Sequence, residues 1–303
     1  GLYVAELVQK QEKSSRLTDV TSAGRQLCYS ALARLQRGDA GGAAEALEAI
    51  EALPSIEAVV GPESWADPIH RLQLCQSSGV GWFVEMYTSV LGVISFLKEG
   101  ALSPEVPPGW KVGIEDYDDE LRLLGTISAL REVERYAVNR GQDLDLRSIC
   151  LCLGAAQCLE EALMQFQFRN SDLRVRFDGV KYAVKKLEAL KYEVGLALQR
   201  AGEELPAEGA KASDGATAVI DLQQLSMIKA RYDVYDEKRE VVMKGSRDVI
   251  KDAKNATYAL QRADYKRADA LLAKAAAEAT ALYDGTISAY PRLRDGFFSS
   301  ALE

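Results

Sequence analysis

From Ser171 to Gly195 the chain reads SDLRVRFDGVKYAVKKLEALKYEVG. Val180, Val184, Leu187, Val194 and Leu198 return every three or four positions, the period of one face of a helix. Lys181, Lys185 and Glu188 fall on the opposite side, where charges three and four apart assist each other modestly. Asn170-Ser171-Asp172 supplies the start of this helix. The same period predicts a long helix over residues 2–37, with Leu17, Val20, Leu27, Ala31 and Leu35 recurring. The segment RGDAGG (37–42) ends it, glycine providing the stop and Asp39 the N-cap of a helix over 43–53. Pro54, Pro62 and Pro68 make 54–68 a loop or a set of short turns. The run from Trp82 to Glu99 is too apolar for a surface and predicts a helix buried on most sides, its Met and aromatic residues in the core. A loop over 103–110 follows, then amphipathic helices over 114–140, about 145–168, about 218–262, and the segment RADYKRADALLAKAAAEATALYDG. A broken stretch around YPRLRDGFF comes last.

Composition agrees with that pattern. Ala, Leu, Glu, Lys and Arg dominate, 48% of residues are hydrophobic, and the eight prolines fall mostly in loops. The fold class expected is all-α. With 303 residues there is room for one large or two ordinary domains. No run of about 18 consecutive apolar residues is seen, so no membrane-spanning helix is expected. The net charge of -8 excludes bulk attraction to nucleic acid, leaving only a local basic patch as a means of binding it. Five cysteines (Cys28, Cys75, Cys150, Cys152 and Cys158) and a single histidine, His70, lack the spacing of a zinc site. The odd count argues against a disulfide framework; reduced thiols in apolar helix faces are expected. Neither a metal nor a cofactor is expected.

An internal repeat suggests the organisation. LQRGDAGGAAEAL begins at Leu35 and LQRADYKRADALL at Leu260. Leu35/Leu260, Gln36/Gln261, Arg37/Arg262 and Asp39/Asp264 match, and Ala43/Ala268 and Leu47/Leu272 continue the register. A long helix precedes each copy and a shorter one follows. GWFVE (81–85) and GFFSS (296–300) read as the same helix start after a loop. The expected layout is a complete helical domain over 1–205, a linker over 201–216 of small and charged residues with Gly and Pro, and the front of a related bundle over 217–303. Half a bundle leaves apolar faces bare, so the second copy is expected to pack on something further.

Several segments resemble the translin family. RNSDLRVRFDGVKYAVKKLEALKYEV (169–194) is similar to the closing helices of translin, IEDYDDELRLLG (114–125) to its segment with an E-D-Y start, and RYAVNRG (135–141) and SFLKEGAL (95–102) to its helix ends. YDVYDEKREVVMKGSRDVIKDAKNATYALQR (232–262) resembles the first helix of TRAX, translin's partner, and FFSSALE the lead-in to its E-Y-x-E helix. The resemblance implies a translin-type bundle of about seven helices, then the first helices of a TRAX-like bundle. It also implies an oligomer with other translin or TRAX chains, binding of single-stranded RNA or DNA, and, for TRAX-like chains, metal-dependent RNA cleavage.

Cleavage needs several carboxylates converging on hard cations. The family's acids lie as E-x-x-E on the buried helix and D-x-x-x-E on the next. Here the first offers only Glu85, and the second pair falls near Leu123 and Ile127. Glu303 stands about where the second copy's first acid is expected. No catalytic residue is therefore assigned, and the acidic EDYDDE (115–120) reads as a helix start favoured by the dipole. For nucleic acid, the family's basic segment aligns with 65–81, where His70 and Arg71 remain, and its V-T-A-G-D-Y element is replaced by NRGQDLD. The expected phosphate contacts are Arg71, Arg169, Arg174, Arg176, Lys181, Lys185 and Lys186; Lys238, Arg239, Lys244, Arg247, Lys251 and Lys254 form a second basic run. The leading expectation is a non-catalytic protein that binds single-stranded nucleic acid within an oligomer. The alternatives are a scaffold subunit of a larger assembly without free RNA binding and, third, a metal-dependent endoribonuclease. A cytoplasmic or nuclear site is expected, with an organelle left open because the first residue is not methionine.

Overall fold

A computed structural model of the chain describes residues 2–102, 104–169, 171–202 and 220–302. All of its regular elements among these residues are helical, as the residue period predicts. The chain divides into two compact units, residues 1–227 and 228–303. Most of the linker expected over 201–216, and the acid Glu303, lie outside the described residues.

The first unit runs α1 (Leu2–Gln36), α2 (Ala40–Glu51), α3 (Ile56–Val60), α4 (Pro62–Ala66), α5 (Pro68–Ser78), α6 (Val80–Glu99), α7 (Glu115–Gln142), α8 (Leu146–Leu163) and α9 (Asp172–Ala201). Seven of these exceed two turns; α3 and α4 are single turns in the proline-rich segment expected as a loop or short turns. Each of the two begins where the sequence supplies a start, Ser55 capping α3 and Pro62 opening α4. Helix α7 is the hub: it packs against α1, α6, α8 and α9.

Helix α6 is the most buried element, with Phe83, Val84, Val90 and Val93 at or near zero exposure. It is long and apolar enough to cross a membrane, with a best-window mean hydropathy of 1.5, and 67% of that window is buried inside the protein. Counting strictly apolar runs misses this, because Glu85, Thr88, Ser89 and Gly92 interrupt the run without lowering its average much. The ring of Phe83 sits 4.4 Å from Trp110 in an edge arrangement, which ties the 108–110 turn to the core. Phe83 also explains a difference on α1. There Leu17, Thr21, Gly24, Cys28 and Ala31 form the buried seam, while the expected Val20, Leu27 and Leu35 are half-buried. A Cβ on Gly24 would stand 2.4 Å from the Phe83 ring, so the seam takes a residue without one. The Thr21 hydroxyl is satisfied by donating to the Ser78 carbonyl at 2.7 Å.

The α6–α7 contact is closer still. A Cβ on Gly125 would meet the Thr88 side chain at 2.5 Å, and one on Gly92 would meet Ala129 at 2.8 Å. The missing methyls let the two backbones approach with dense packing on either side.

The second unit contains α10 (Leu222–Gln261, which begins in the first unit), α11 (Tyr265–Leu282) and α12 (Ser299–Leu302), with a π turn over Tyr283–Ile287 and a 3-10 turn over Pro291–Arg294. Its core gathers Val242, Val249, Ala275, Ala279, Ile287, Leu293 and Phe298. Lys274 reaches the buried Asp252 at 2.7 Å and joins α11 to α10.

The repeated LQR-x-D motif is one piece of backbone geometry. After α1, Gly38 takes a positive φ, the amides of Gly38 and Asp39 bond the carbonyls of Leu35 and Arg34, and Asp39 accepts from Gly42 N. After α10, Ala263 takes a positive φ, the amides of Ala263 and Asp264 bond Leu260 and Ala259, and Asp264 accepts from Arg267 N. A helix stop and a helix start are thereby fused, the Asp serving both. A third copy joins α7 to α8 through Leu144 and Asp145, with Asp145 accepting from Ser148 N.

Two of these turns put a side chain where the left-handed backbone disfavours one. Ala263→Gly is expected to raise stability by up to about 1 kcal/mol, and Asp39→Ala and Asp145→Ala to lower it by about 1 kcal/mol each. Urea unfolding followed by circular dichroism measures these; destabilisation by Ala263→Gly would show that the turn is not strained.

Candidate functional site

Glu85 is the one acid on the buried face of α6, 8% exposed. Two helices close over its carboxylate. Arg176 on α9 donates from Nη1 to Oε1 at 2.6 Å and from Nη2 to Oε2 at 3.2 Å. Ser128 on α7 donates to Oε1 at 2.6 Å and receives Arg176 Nη1 at 3.2 Å. Both oxygens are engaged in a bidentate, charge-assisted arrangement. Leu123 and Ile127, which stand where the second pair of family acids is expected, are 1% exposed and belong to the apolar core. No group of three or more His, Cys, Asp or Glu that could hold a metal exists among the described residues. In the acidic start of α7, Asp118 accepts from the amides of Val112 and Gly113, at 2.8 and 2.9 Å. Burial nonetheless pushes its carboxyl upward, against those two amides, Lys111 and the Ile114 amide.

The seven expected phosphate contacts do not form one surface. Arg176 points inward to Glu85. By helical register Arg174, Lys181 and Lys185 share the solvent side of α9; Arg174 and Lys181 both lie 3.6 Å from Asp178, and Lys185 is exposed. Lys181 also sits 4.6 Å over the Phe177 ring. Lys186 lies on another edge of α9 and pairs with Glu134 of α7 at 2.6 Å. Arg71, on α5, donates to the Val112 carbonyl at 2.8 Å and lies 5.7 Å over the Trp65 ring, where it fixes the 111–113 loop. Arg169 is exposed on the connection between α8 and α9, which is anchored by Phe166 stacked on Phe168 at 5.1 Å.

Sequence reasoning missed a cleft between α7 and α9. About 330 Å3 in volume, it is lined by Arg131, Glu134, Arg135, Val138, Gly179 and Lys186. Four of these are spaced i, i+3, i+4 and i+7 on α7, a signal readable in the sequence once that face is separated from the buried one. Of the basic run on α10, Lys244 pairs with Glu240 at 3.3 Å and Arg239 lies 3.9 Å from Asp236.

Of the cysteines, Cys28, Cys75 and Cys152 are buried, and burial pushes each thiol up to about 12. Cys158 is exposed and its thiol is raised only in part, by partial burial and by Glu161.

No protein-family model matches the chain, and neither does any curated protein. Among solved structures, the crystal structure of apo-NeC3PO, a translin-family complex, is similar with a TM-score of 0.51 at 17% identity, over 63% of this chain and 95% of that one. The likeness shows that the fold is translin-like and all-helical.

Arg176→Ala would strand the Glu85 carboxylate in the core. A loss of roughly 3 kcal/mol is expected, and the pair replaced together, Glu85→Gln with Arg176→Met, should recover much of it; a double variant whose loss is the sum of the two single losses would show the pair to be uncoupled. Cysteine labelling at pH 8 should modify Cys158 in the folded protein and leave Cys28, Cys75 and Cys152 unmodified until denaturant is added. Fast modification of the three would contradict their burial.

Proposed function

We propose that the chain is a non-catalytic, translin-fold subunit of an oligomeric assembly. The observation that carries this reading is the Glu85–Arg176–Ser128 cluster. The one acid at the family's catalytic helix is consumed by an internal ion pair, and the positions of the second acid pair hold core leucine and isoleucine. A cation named for phosphate binding is consumed by the same pair. Both departures favour a structural role, in which this subunit holds an assembly together. On this reading residues 1–205 form the translin-like domain and 217–303 the front of a TRAX-like one, joined through 201–216. The partners are other translin- or TRAX-family chains, in homo- or hetero-oligomers.

A second reading, binding of single-stranded RNA or DNA, is favoured by Arg174, Lys181 and Lys185 on the open side of α9. Two of these three share a single half-exposed aspartate, Asp178, and such pairs hold weakly in water. Phosphate contacts there would be salt-sensitive and indifferent to sequence.

Light scattering on the purified protein, with a ribonuclease assay in magnesium and in manganese, tests the first reading. The expected result is an assembly of fixed stoichiometry, free of RNA, with no metal-dependent cleavage. Cleavage abolished by Glu85→Gln would overturn it. Salt-sensitive binding of single-stranded RNA that weakens in an Arg174→Ala/Lys181→Ala variant would establish the second reading.

A further inference from the structure

The α7–α9 cleft carries a chemistry that the Glu85 cluster does not. Three of its six lining residues are cations, Arg131, Arg135 and Lys186, and one is an acid, Glu134. Arg131 is exposed and has no side-chain partner among the described residues. A Cβ on Gly179 would stand 2.9 Å from Arg131 Nη2, so the glycine leaves the guanidinium room to lie across the α9 backbone. The other two cations each have one acidic partner. Arg135 pairs with Glu132 at 3.0 Å with 64% of its side chain exposed, and Lys186 pairs with Glu134 with 59% exposed. Each cation keeps more than half of its side chain in solvent, while its acid is mostly buried, Glu132 at 13% and Glu134 at 19% exposed.

We propose that this cleft is a phosphate-binding site. Two guanidinium forks and an ammonium converging on one concavity match an anion with several oxygens and more than one charge. A single carboxylate would be satisfied by one arginine and would compete poorly with Glu134. Val138 gives the cleft one apolar wall. The volume suits a diphosphate or one nucleotide's phosphate and sugar, at the lower end of small-molecule sites. Along the same edge of α9, register places Tyr182 between Gly179 and Lys186, and its side chain is exposed. A phosphate that carries a base would find a ring to stack on there; a free phosphate would make no use of it. The site stands whether or not the chain binds RNA through Arg174 and Lys181.

Titration calorimetry with pyrophosphate, and fluorescence anisotropy with a short single-stranded oligoribonucleotide, test the site on the full chain. Arg131→Ala is expected to weaken binding of whichever probe binds by about tenfold. Lys98→Ala, which removes the same charge from the exposed end of α6, should leave it unchanged. Glu134→Gln should tighten binding. Because Arg131 is exposed and unpaired, its variant should melt with the parent protein, and Glu134→Gln supplies a gain that misfolding cannot mimic. Weakening of the oligoribonucleotide but not of pyrophosphate by Tyr182→Ala assigns the site to a nucleic-acid backbone; binding of pyrophosphate alone assigns it to a free phosphate. Equal losses in Arg131→Ala and Lys98→Ala, or no binding of either probe, overturn the proposal.

Discussion

A carboxylate buried on the most apolar helix of a bundle must be neutralised where it sits, and the first unit is arranged around that requirement. Glu85 cannot reach water from α6, so α9 delivers Arg176 and α7 delivers Ser128. The desolvation cost of such a pair rivals its attraction. Its consequence is therefore geometric more than energetic. With Arg176 committed inward, the rotation of α9 about its own axis is set. Arg174, Lys181 and Lys185 are turned to solvent, and Gly179 and Lys186 to α7. The cleft beside Arg131 exists because the ion pair one turn away holds α9 in that rotation.

The same pair depends on how closely α6 and α7 approach. Ser128 reaches Glu85 because Gly125, one turn earlier, lies against Thr88, and Gly92 against Ala129. A methyl at either glycine would press on a neighbouring helix that has no slack, since Leu121, Leu124, Ile127 and Leu130 fill the rest of α7's inner faces. The backbone approach, the carboxylate clamp and the exposed basic edge of α9 form one chain of dependence.

Much of this was legible in the sequence, for reasons that show where legibility ends. The long helices, the burial of α6 and the inward stripe of α9 followed from residue period, because burial on one face imposes that period. The core places of Leu123 and Ile127, both 1% exposed, follow from their apolar side chains on the inner face of α7. The inward place of Arg176 was not legible. In sequence it belongs to a basic run with Arg174 and Lys181, and only the 100° step of the helix separates it from them. Its partner Glu85 lies ninety-one positions away on another helix. The cleft was hidden for the same reason, because Gly179 contributes by lacking a side chain. On α1 the buried seam passes through Thr21, Gly24 and Cys28, which a search for large apolar residues steps over in favour of Val20 and Leu27.

The internal repeat also changes meaning. Arg37-Gly38-Asp39 and Arg262-Ala263-Asp264 share backbone hydrogen bonds residue for residue, but so does Asp143-Leu144-Asp145 between α7 and α8. The turn needs an αL position followed by a side chain able to cap the next helix, and any helix corner of this kind selects for that pair. The matched Asp and the residue before it are thus explained by turn chemistry alone. The matches beyond the turn serve different ends. Gln36 donates to the Glu132 carbonyl at 2.8 Å and braces α1 on the hub helix, whereas Gln261 is exposed. Leu47 is half-buried and Leu272 is 46% exposed. Only Ala43 and Ala268, at 2% and 0% exposure, repeat a packing role. Among the described residues the corner recurs three times, each time ending one helix and starting the next, between helices that differ in what they bury.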